Sequence, residues 1–410
     1  MVLKNIERGE VLVSAEPSTL ESSPRVERGI LPSLRLEQMR ALTLIGVLLV
    51  IWIVFQVLTH GLFLSPRNLT TLLVQVAVTA ILATGIVTIM VQGYIDLSIG
   101  SAVAFTGMVA TLLVDPTRGL GLTSSAWVVI PVTILAGMLI GAWQGFWVAW
   151  LNVPAFIVTL ASLLALRGAA LTITGGSTTS HKGVLSFLAA DFVPGGWTAL
   201  FLVVLVGCYA AVKISDRRAR IAATGEESSI GSSLVMPVIG LAIVCACAAA
   251  VALSYRGTPL PVAILVLLLV VITLVMVRTP FGRRLYAIGG NLSAAKYAGI
   301  NVSLHCFAVF VFMGALYGIA GMILVSRIGV AVPTAGTGLE LTVIAAAVIG
   351  GTSLFGGKGT PAGAVIGALL LESLNNGMGL MNVESSFQLI VNGLVLLVAV
   401  YVDIRGRKAV

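Results

Sequence analysis

Charged and amide side chains are few in this 410-residue sequence, and several of them interrupt apolar stretches long enough to cross a bilayer. Asp96 and Ser98 lie in the segment Gly-Tyr-Ile-Asp-Leu-Ser-Ile-Gly, residues 93–100, between two such stretches. An acid at membrane depth is costly and therefore indicates function by default. Two interpretations of Asp96 stay open. With Ser98 it caps the free N–H groups of the next helix, or its charge lines a transport pathway.

Arg167 interrupts a second apolar run, residues 155–174. Arginine keeps its charge at any physiological pH, so this guanidinium must face water, a carboxylate or carbonyl oxygens. We expect a structural ion pair at Arg167, with a contact to a transported substrate as the alternative.

Further polar residues cluster toward the C-terminus. Glu372, Asn375 and Asn376 lie in the outer half of one apolar run, and Glu340 lies at the start of another. Carboxylates and amides at these positions could hydrogen-bond a hydroxylated ligand. They could equally join helices to one another or cap loops. Both interpretations stay open for these four residues.

The residue types needed for bond chemistry are missing from the sequence. The segment around Lys358 resembles a phosphate-binding loop but has threonine at 352 and glycine at 359, where GxxxxGK[ST] needs glycine and serine or threonine. No Ser-His-Asp, HExxH or paired-carboxylate pattern is present, and the four cysteines and three histidines have no metal-binding spacing. We therefore expect no catalytic site, no metal and no cofactor, and any ATPase must be a separate protein.

The most informative segment of the chain is a polar, basic, glycine-punctuated island at residues 278–302. Thr279-Pro280 ends the preceding helix, and Arg283 and Arg284 form a basic anchor at the membrane interface. Gly289-Gly290-Asn291 predicts a turn, after which Asn291 caps a short helix, Leu292–Tyr297, that ends near Gly299. The residues expected to matter for docking in this part are Gly289, Gly290, Asn291, Ala294, Ala295 and Gly299. A short helix tied rigidly to two spanning helices is suited to docking a soluble partner.

Composition predicts the fold that must position these residues. The chain is 58% hydrophobic and only 10% charged, too little polar surface for a soluble globule. The apolar runs do not alternate with polar residues, so the fold class is an all-α polytopic membrane protein with about 10–12 transmembrane helices. Apolar windows lie at 41–59, 69–92, 99–114, 126–150, 155–174, 197–213, 233–254, 260–277, 303–325, 339–355, 360–378 and 386–403. Windows 99–114, 339–355 and 360–378 are candidates for half-helices.

The distribution of basic residues predicts the topology. With a cytosolic N-terminus, eighteen of the 24 Lys and Arg residues fall in inner segments and five in outer loops. This bias accounts for the net charge of +8 without nucleic-acid binding. We expect a disordered cytosolic tail at 1–40, a transmembrane permease domain at 41–404 with a cytosolic loop at 278–302, and a cytosolic tail at 405–410. A further basic loop at 213–232 should also be cytosolic.

Glycine patterns suggest close packing and a possible duplication. GxxxG spacings occur at Gly137, Gly141 and Gly145 and again at Gly314 and Gly318, which lets helix backbones approach. Residues 93–100 weakly resemble residues 350–357, and transporters are often built from duplicated halves.

Four segments together resemble one family. Thr279-Pro-Phe-Gly-Arg-Arg-Leu-Tyr-Ala-Ile-Gly-Gly-Asn-Leu-Ser-Ala-Ala-Lys-Tyr-Ala-Gly-Ile300 closely resembles the cytosolic loop of sugar ABC-importer permeases of the ribose/xylose/branched-chain amino acid type. Residues 93–101, 153–160 and 348–360 also fit this family. Residues 376–383, the end at 401–403 and the additional loop at 213–232 resemble its xylose-type members.

The resemblance implies a permease subunit of an ABC importer in the bacterial inner membrane. Its substrate is expected to be a monosaccharide, D-xylose or another pentose. The implied partners are an ABC ATPase subunit that grips residues 291–300, a periplasmic sugar-binding protein and a second permease copy, all around a chain embedded in the lipid bilayer. An ion-coupled secondary sugar transporter is the alternative, and a membrane-embedded enzyme is a third possibility that the missing catalytic residues disfavour.

Overall fold

The computed structural model describes residues 31–408, except residues 118, 123, 124, 182 and 195 and most of the stretch 199–256. Helices dominate this part of the chain. They are α1 Leu31–Leu58, α2 Pro66–Met90, α3 Ile99–Val114, α4 Ala126–Ala149, α5 Ala155–Thr174, α6 Phe187–Ala190, α7 Leu260–Arg278, α8 Pro280–Gly290, α9 Leu292–Tyr297, α10 Val302–Ile328, α11 Leu339–Ile349, α12 Pro361–Leu380 and α13 Ser385–Lys408.

The helices confirm an all-α polytopic membrane protein. Among the described residues five helices, α2, α4, α5, α7 and α10, are long and apolar enough to cross a membrane. Of the three candidate half-helices, α11 fits best, because its 11 residues rise only about 16 Å through a core of about 30 Å. The 20 residues of α12 rise about 30 Å, a sufficient length, but α12 is not among the five helices that are also apolar enough to cross.

Helices extend into both predicted tails. Helix α1 begins at Leu31, inside the predicted disordered tail 1–40. Leu, Glu, Gln, Met and Arg in this stretch are strong helix formers, and they extend the apolar helix backwards. Helix α13 likewise continues to Lys408, into the predicted tail 405–410. The predicted windows 197–213 and 233–254 and the basic loop 213–232 lie almost entirely outside the described residues, as does the rest of the tail, residues 1–30.

The core forms where glycines let α4 and α10 meet. A Cβ atom added at Gly137 would overlap the carbonyl oxygen of Gly314, and one at Gly141 would overlap that of Phe310. Both predicted GxxxG patterns therefore pack against each other. Helix α2 lies at the centre of the molecule, and its residues from Val76 to Met90 are all buried.

Four short strands tie loops together at one end of the helices. Strand β1, Thr179–Ser180, pairs antiparallel with β4, Val330–Ala331. Strand β2, Phe192–Val193, pairs antiparallel with β3, Thr258–Pro259. The β1–β4 pair fixes the start of the loop at residues 329–338, which connects α10 to the short helix α11.

Candidate functional site

A cavity of about 790 Å³ lies between α2, α12, α13 and the loop 329–338. Helix α2 contributes its N-terminal half, whereas α12 contributes its C-terminal half. Helix α10 reaches the same cavity with its last residues. The cavity therefore lies at one end of three long helices.

One face of α2 lines the cavity with polar groups. Asn68, Thr71, Gln75 and Thr79 are spaced three or four residues apart, so they share a side of the helix. Ser65 caps the start of this helix by accepting a hydrogen bond from the Asn68 N–H. Apart from Arg67 and three threonines, the remainder of α2 is apolar, so the amides of this stripe are unusual within a largely buried helix.

Helices α12 and α13 add matching stripes. Asn375 and Asn376 line the cavity from α12, and Gln388 and Asn392 line it from α13. The amides bond across the helices in a network. Asn68 Nδ2 donates to Asn376 Oδ1 at 2.8 Å, Asn376 Nδ2 to Gln75 Oε1 at 3.4 Å, and Asn392 Nδ2 to Asn375 Oδ1 at 2.9 Å.

One acid and one base also line the cavity. Glu372 accepts a hydrogen bond from the Thr79 hydroxyl at 2.5 Å. Arg327, near the end of α10, lines the same cavity. The cavity wall thus carries one formal charge of each sign, together with many neutral hydrogen-bonding groups. The structure brings Glu372, Asn375 and Asn376 together, as the sequence pattern suggested.

Arg167 holds the loop that forms one wall of the cavity. Its Nη1 donates to the carbonyl oxygens of Pro333 at 2.6 Å and Ala335 at 3.3 Å. Arg167 thus contacts backbone carbonyl oxygens rather than the carboxylate of the expected ion pair. Carbonyl oxygens were one of the three environments that its permanent charge allowed. Because Ala335 itself lines the cavity, Arg167 fixes the shape of the wall from behind.

Asp96 lies away from the cavity, in a fully buried polar network. Its Oδ1 accepts from the Ser98 N–H at 2.8 Å and the Ser98 hydroxyl at 2.7 Å, and the Tyr317 hydroxyl donates to Oδ2. Gln144 Nε2 donates to Ser98 Oγ at 2.7 Å. The N-cap residue of α3 is Ser98, not Asp96. The Asp96 carboxylate holds Ser98 in place through the two hydrogen bonds described above. The network joins α3, α4 and α10.

Glu340 lies at the first turn of α11 and does not line the cavity. Its Oε1 accepts from the Gly338 N–H at 3.3 Å. Its other oxygen packs against Gly100, where a Cβ atom would overlap it, and has no hydrogen-bond partner. These contacts place Glu340 between the loop 329–338 and the start of α3.

The predicted island forms two helices, α8 and α9, each with an exposed face; α8 buries Gly282, Leu285 and Ile288 on its other face. Thr279 caps α8 by accepting from the Gly282 N–H at 3.2 Å. Asn291 caps α9 by accepting from the Ala294 N–H at 2.9 Å, as predicted. Arg283, Arg284, Ala294 and Gly299 are exposed, whereas Ala295 is buried. Tyr297 is 93% exposed.

One detail of the island was wrong. The predicted turn at Gly289-Gly290-Asn291 is absent, because the two glycines are the last residues of α8 and only Asn291 separates the two helices. Asn291 has an extended backbone that separates the two helices, and its side chain caps α9. One residue is therefore enough to connect them. Gly299 has a φ of +75°, which ends the segment.

A tight backbone junction connects α8 to the rest of the molecule. A Cβ atom at Gly289 would overlap the carbonyl oxygen of Val91 and lie 2.6 Å from the Gly357 nitrogen. The Gly357 N–H donates to the same Val91 oxygen at 2.8 Å. The junction therefore brings the two glycine segments with the weak internal resemblance, 93–100 and 350–357, beside α8.

A tyrosine reinforces this junction. The Tyr286 hydroxyl donates to the carbonyl oxygen of Gly359 at 2.7 Å. Burial raises the pKa of the Tyr286 phenol, so it stays a hydrogen-bond donor at physiological pH.

Sequence reasoning missed most of the cavity wall. Asn68, Gln75 and Asn392 are single polar residues within apolar windows, and each alone suggests little. Their spacing carries the signal. A polar residue at every third or fourth position of an apolar helix marks one face, and this pattern occurs on α2, α12 and α13.

Comparison with known proteins decides the family. A family model described as "Branched-chain amino acid transport system / permease component" matches residues 68–400. The chain belongs to this permease family. The match includes the cavity, the buried Asp96 network and both exposed helices.

Individual relatives point the same way. The permease is 42% identical over 372 residues to the xylose transport system permease protein of Escherichia coli K12, covering 90% of this chain and 93% of that protein. Identity to the corresponding Haemophilus influenzae protein is 38% over 368 residues, 88% and 94% of the two chains. Identity to the Escherichia coli ribose import permease is 35% over 345 residues, 83% and 87% of the two chains. No solved structure matches the permease.

The family match and the apolar helices together establish the class and the location of the protein. It is a multi-pass protein of the inner membrane and a transport subunit, since its relatives are transport permeases rather than enzymes.

Proposed function

We propose that the permease moves D-xylose or another pentose across the inner membrane as the membrane-spanning subunit of an ABC importer. The observation that carries this proposal is its 42% identity, over nine-tenths of its length, to a xylose transport permease. Transport is by alternating access. The helices rock around a central path, and ATP binding and hydrolysis in a separate subunit drive them.

The separate ATPase follows from the chain's own residues. Its one glycine-lysine segment lacks the residues of a phosphate-binding loop at 352 and 359. An ion-coupled secondary transporter would also lack this loop, but neither the relatives nor the exposed helices favour it. Energy therefore arrives through a protein contact.

The exposed helices α8 and α9 are the proposed contact with the ATPase. Thr279 and Asn291 cap their first turns, and the two helices present a polar, basic surface that includes Arg283 and Arg284. Gly290, Asn291, Ala294 and Gly299 are exposed on the same segment, and Ala295 anchors α9 inward.

Three helices offer a path from this contact to the cavity. Helix α2 ends beside the Gly289 junction and begins at the cavity, a distance of about 37 Å over its 25 residues. Helices α10 and α12 likewise start near α8 and end at the cavity. A displacement of α8 would thus move helix ends that line the cavity.

The sidedness follows from the charge bias. We propose that both termini and residues 278–302 face the cytoplasm, and that the cavity opens toward the periplasm. A periplasmic sugar-binding protein would dock on the cavity side. A second copy of the permease would complete the importer as a homodimer, so that each ATPase subunit meets one α8–α9 pair.

ATP hydrolysis by the assembled importer tests this proposal. Hydrolysis should rise several-fold when xylose-loaded binding protein is added. The double variant Arg283→Glu, Arg284→Glu should abolish this stimulation, whereas the charge-retaining control Arg283→Lys, Arg284→Lys should keep most of it. Unchanged stimulation in the charge-reversed variant would show that α8 does not receive the ATPase.

A further inference from the structure

We propose that the cavity between α2, α12 and α13 is a binding site for a single neutral monosaccharide. This inference rests on the proposed function and deepens it. The importer would hold its sugar at defined side chains within the permease, in addition to any site on the binding protein.

The lining matches the chemistry of a polyhydroxylated ligand. Amides both donate and accept hydrogen bonds, as sugar hydroxyls do, and three helices present amides to the same space. The volume of about 790 Å³ lies within the range of small-molecule sites and leaves room for a sugar with water around it.

The charges of the wall disfavour other ligands. Glu372 and Arg327 both line the cavity, so its wall has no excess of positive charge for a sugar phosphate and no excess of negative charge for a cation. A branched-chain amino acid would bring an apolar side chain against a wall of amides, where it would displace water from these groups without replacing the hydrogen bonds of that water.

One acceptor in the wall has no partner. Asn392 donates through Nδ2 to Asn375, but its Oδ1 has no hydrogen-bond partner and is buried. Because protein atoms cover this oxygen, a ligand hydroxyl would reach it only after the Asn392 side chain turned toward the cavity. The other cavity amides largely bond to one another, so a sugar must exchange existing hydrogen bonds for its own. Binding should therefore be weak, as passage through the site requires.

Saturation-transfer NMR on the full chain in lipid nanodiscs tests the site directly. The probes are D-xylose, D-ribose and L-valine. Xylose and ribose should give saturable signals and compete with each other, and valine should give none. Comparable valine binding, or no sugar signal at millimolar concentrations, would overturn the proposal.

Two variants locate the binding. Asn392→Leu keeps the side-chain shape but removes its polar atoms, and it should weaken xylose binding at least fivefold. The control Gly393→Ala should bind like the wild type, since nothing lies within 4 Å of the added methyl group. Equal binding by Asn392→Leu would place the sugar elsewhere. If Asn392→Leu does not fold, Glu372→Gln keeps an acceptor for Thr79 and should also weaken binding.

The two proposals fail in different ways. If the permease binds no sugar but the complete importer takes up xylose with ATP, the site is wrong and the function stands. If sugar binds but no ATP-driven uptake occurs, the function is wrong.

Discussion

At the scale of single residues, the backbone junction at Gly289 is the most constrained position in the proposed coupling region. Two adjacent glycines end α8, yet of the two only Gly289 would bring an added Cβ atom against other backbone. Gly290 has nothing within 4 Å of an added Cβ atom. The same Gly→Ala change at these two neighbouring positions therefore tests whether the backbone contact at Gly289 matters.

Gly289→Ala should impair the permease, and Gly290→Ala should not. The added methyl group at Gly289 would overlap the Val91 carbonyl, and such overpacking costs about 1–3 kcal/mol. We expect a lower thermal unfolding temperature in detergent and loss of xylose-stimulated ATP hydrolysis for Gly289→Ala only. Similar behaviour of the two variants would show that the junction is loose.

Asp96 can be tested by separating its charge from its hydrogen bonds. Asp96→Asn keeps an oxygen for Ser98, and its amide can donate to the Tyr317 oxygen, so folding and transport should be nearly normal. Asp96→Leu leaves the Ser98 N–H and the Tyr317 hydroxyl unpaired, at a cost of about 1–3 kcal/mol for each group. Expression yield and thermal unfolding measure the difference. Loss of transport in well-folded Asp96→Asn would instead indicate a role for the charge.

At the scale of elements, the loop 329–338 is an irregular segment that reaches into the molecule. Gly336 packs against Gly100, strand β4 holds the start of the loop, and Arg167 holds its middle. Protein contacts therefore hold this loop on one side, and the cavity lies on its other side.

Arg167→Met should loosen this loop without unfolding α5. Removing charged hydrogen bonds worth about 1.5–3 kcal/mol should speed amide exchange in residues 332–338 at least tenfold. Hydrogen exchange with mass spectrometry measures it, with Gly168→Ala as a control because its added methyl group meets nothing within 4 Å. Unchanged exchange would mean that the loop is held by other contacts.

Much of this arrangement could be predicted from local sequence. The apolar windows predicted α3 and α5 residue for residue, and Asn291 predicted the start of α9. What sequence could not supply was contact between distant segments. The partners of Arg167 lie more than 160 residues away, and the cavity forms only when α2 and α12 pack side by side. Tertiary packing decides such contacts, and no periodicity within one helix encodes them.

At the scale of the whole molecule, the proposed sidedness places the α8–α9 pair and the cavity on opposite faces of the membrane. In a background with the four native cysteines replaced, Tyr297→Cys should react with an impermeant maleimide in inverted vesicles. Leu62→Cys, in the exposed loop after α1, should react only in right-side-out vesicles. Labelling of both positions from one side would contradict the topology.

Uptake of radiolabelled xylose into proteoliposomes tests the proposed function most directly. The vesicles contain the permease and its ATPase, with binding protein on the outside and ATP or its absence on the inside. We expect uptake only when permease, ATPase, binding protein and ATP are all present. Xylose uptake driven by a proton or sodium gradient, without ATP or the ATPase, would contradict the assignment as an ABC importer subunit.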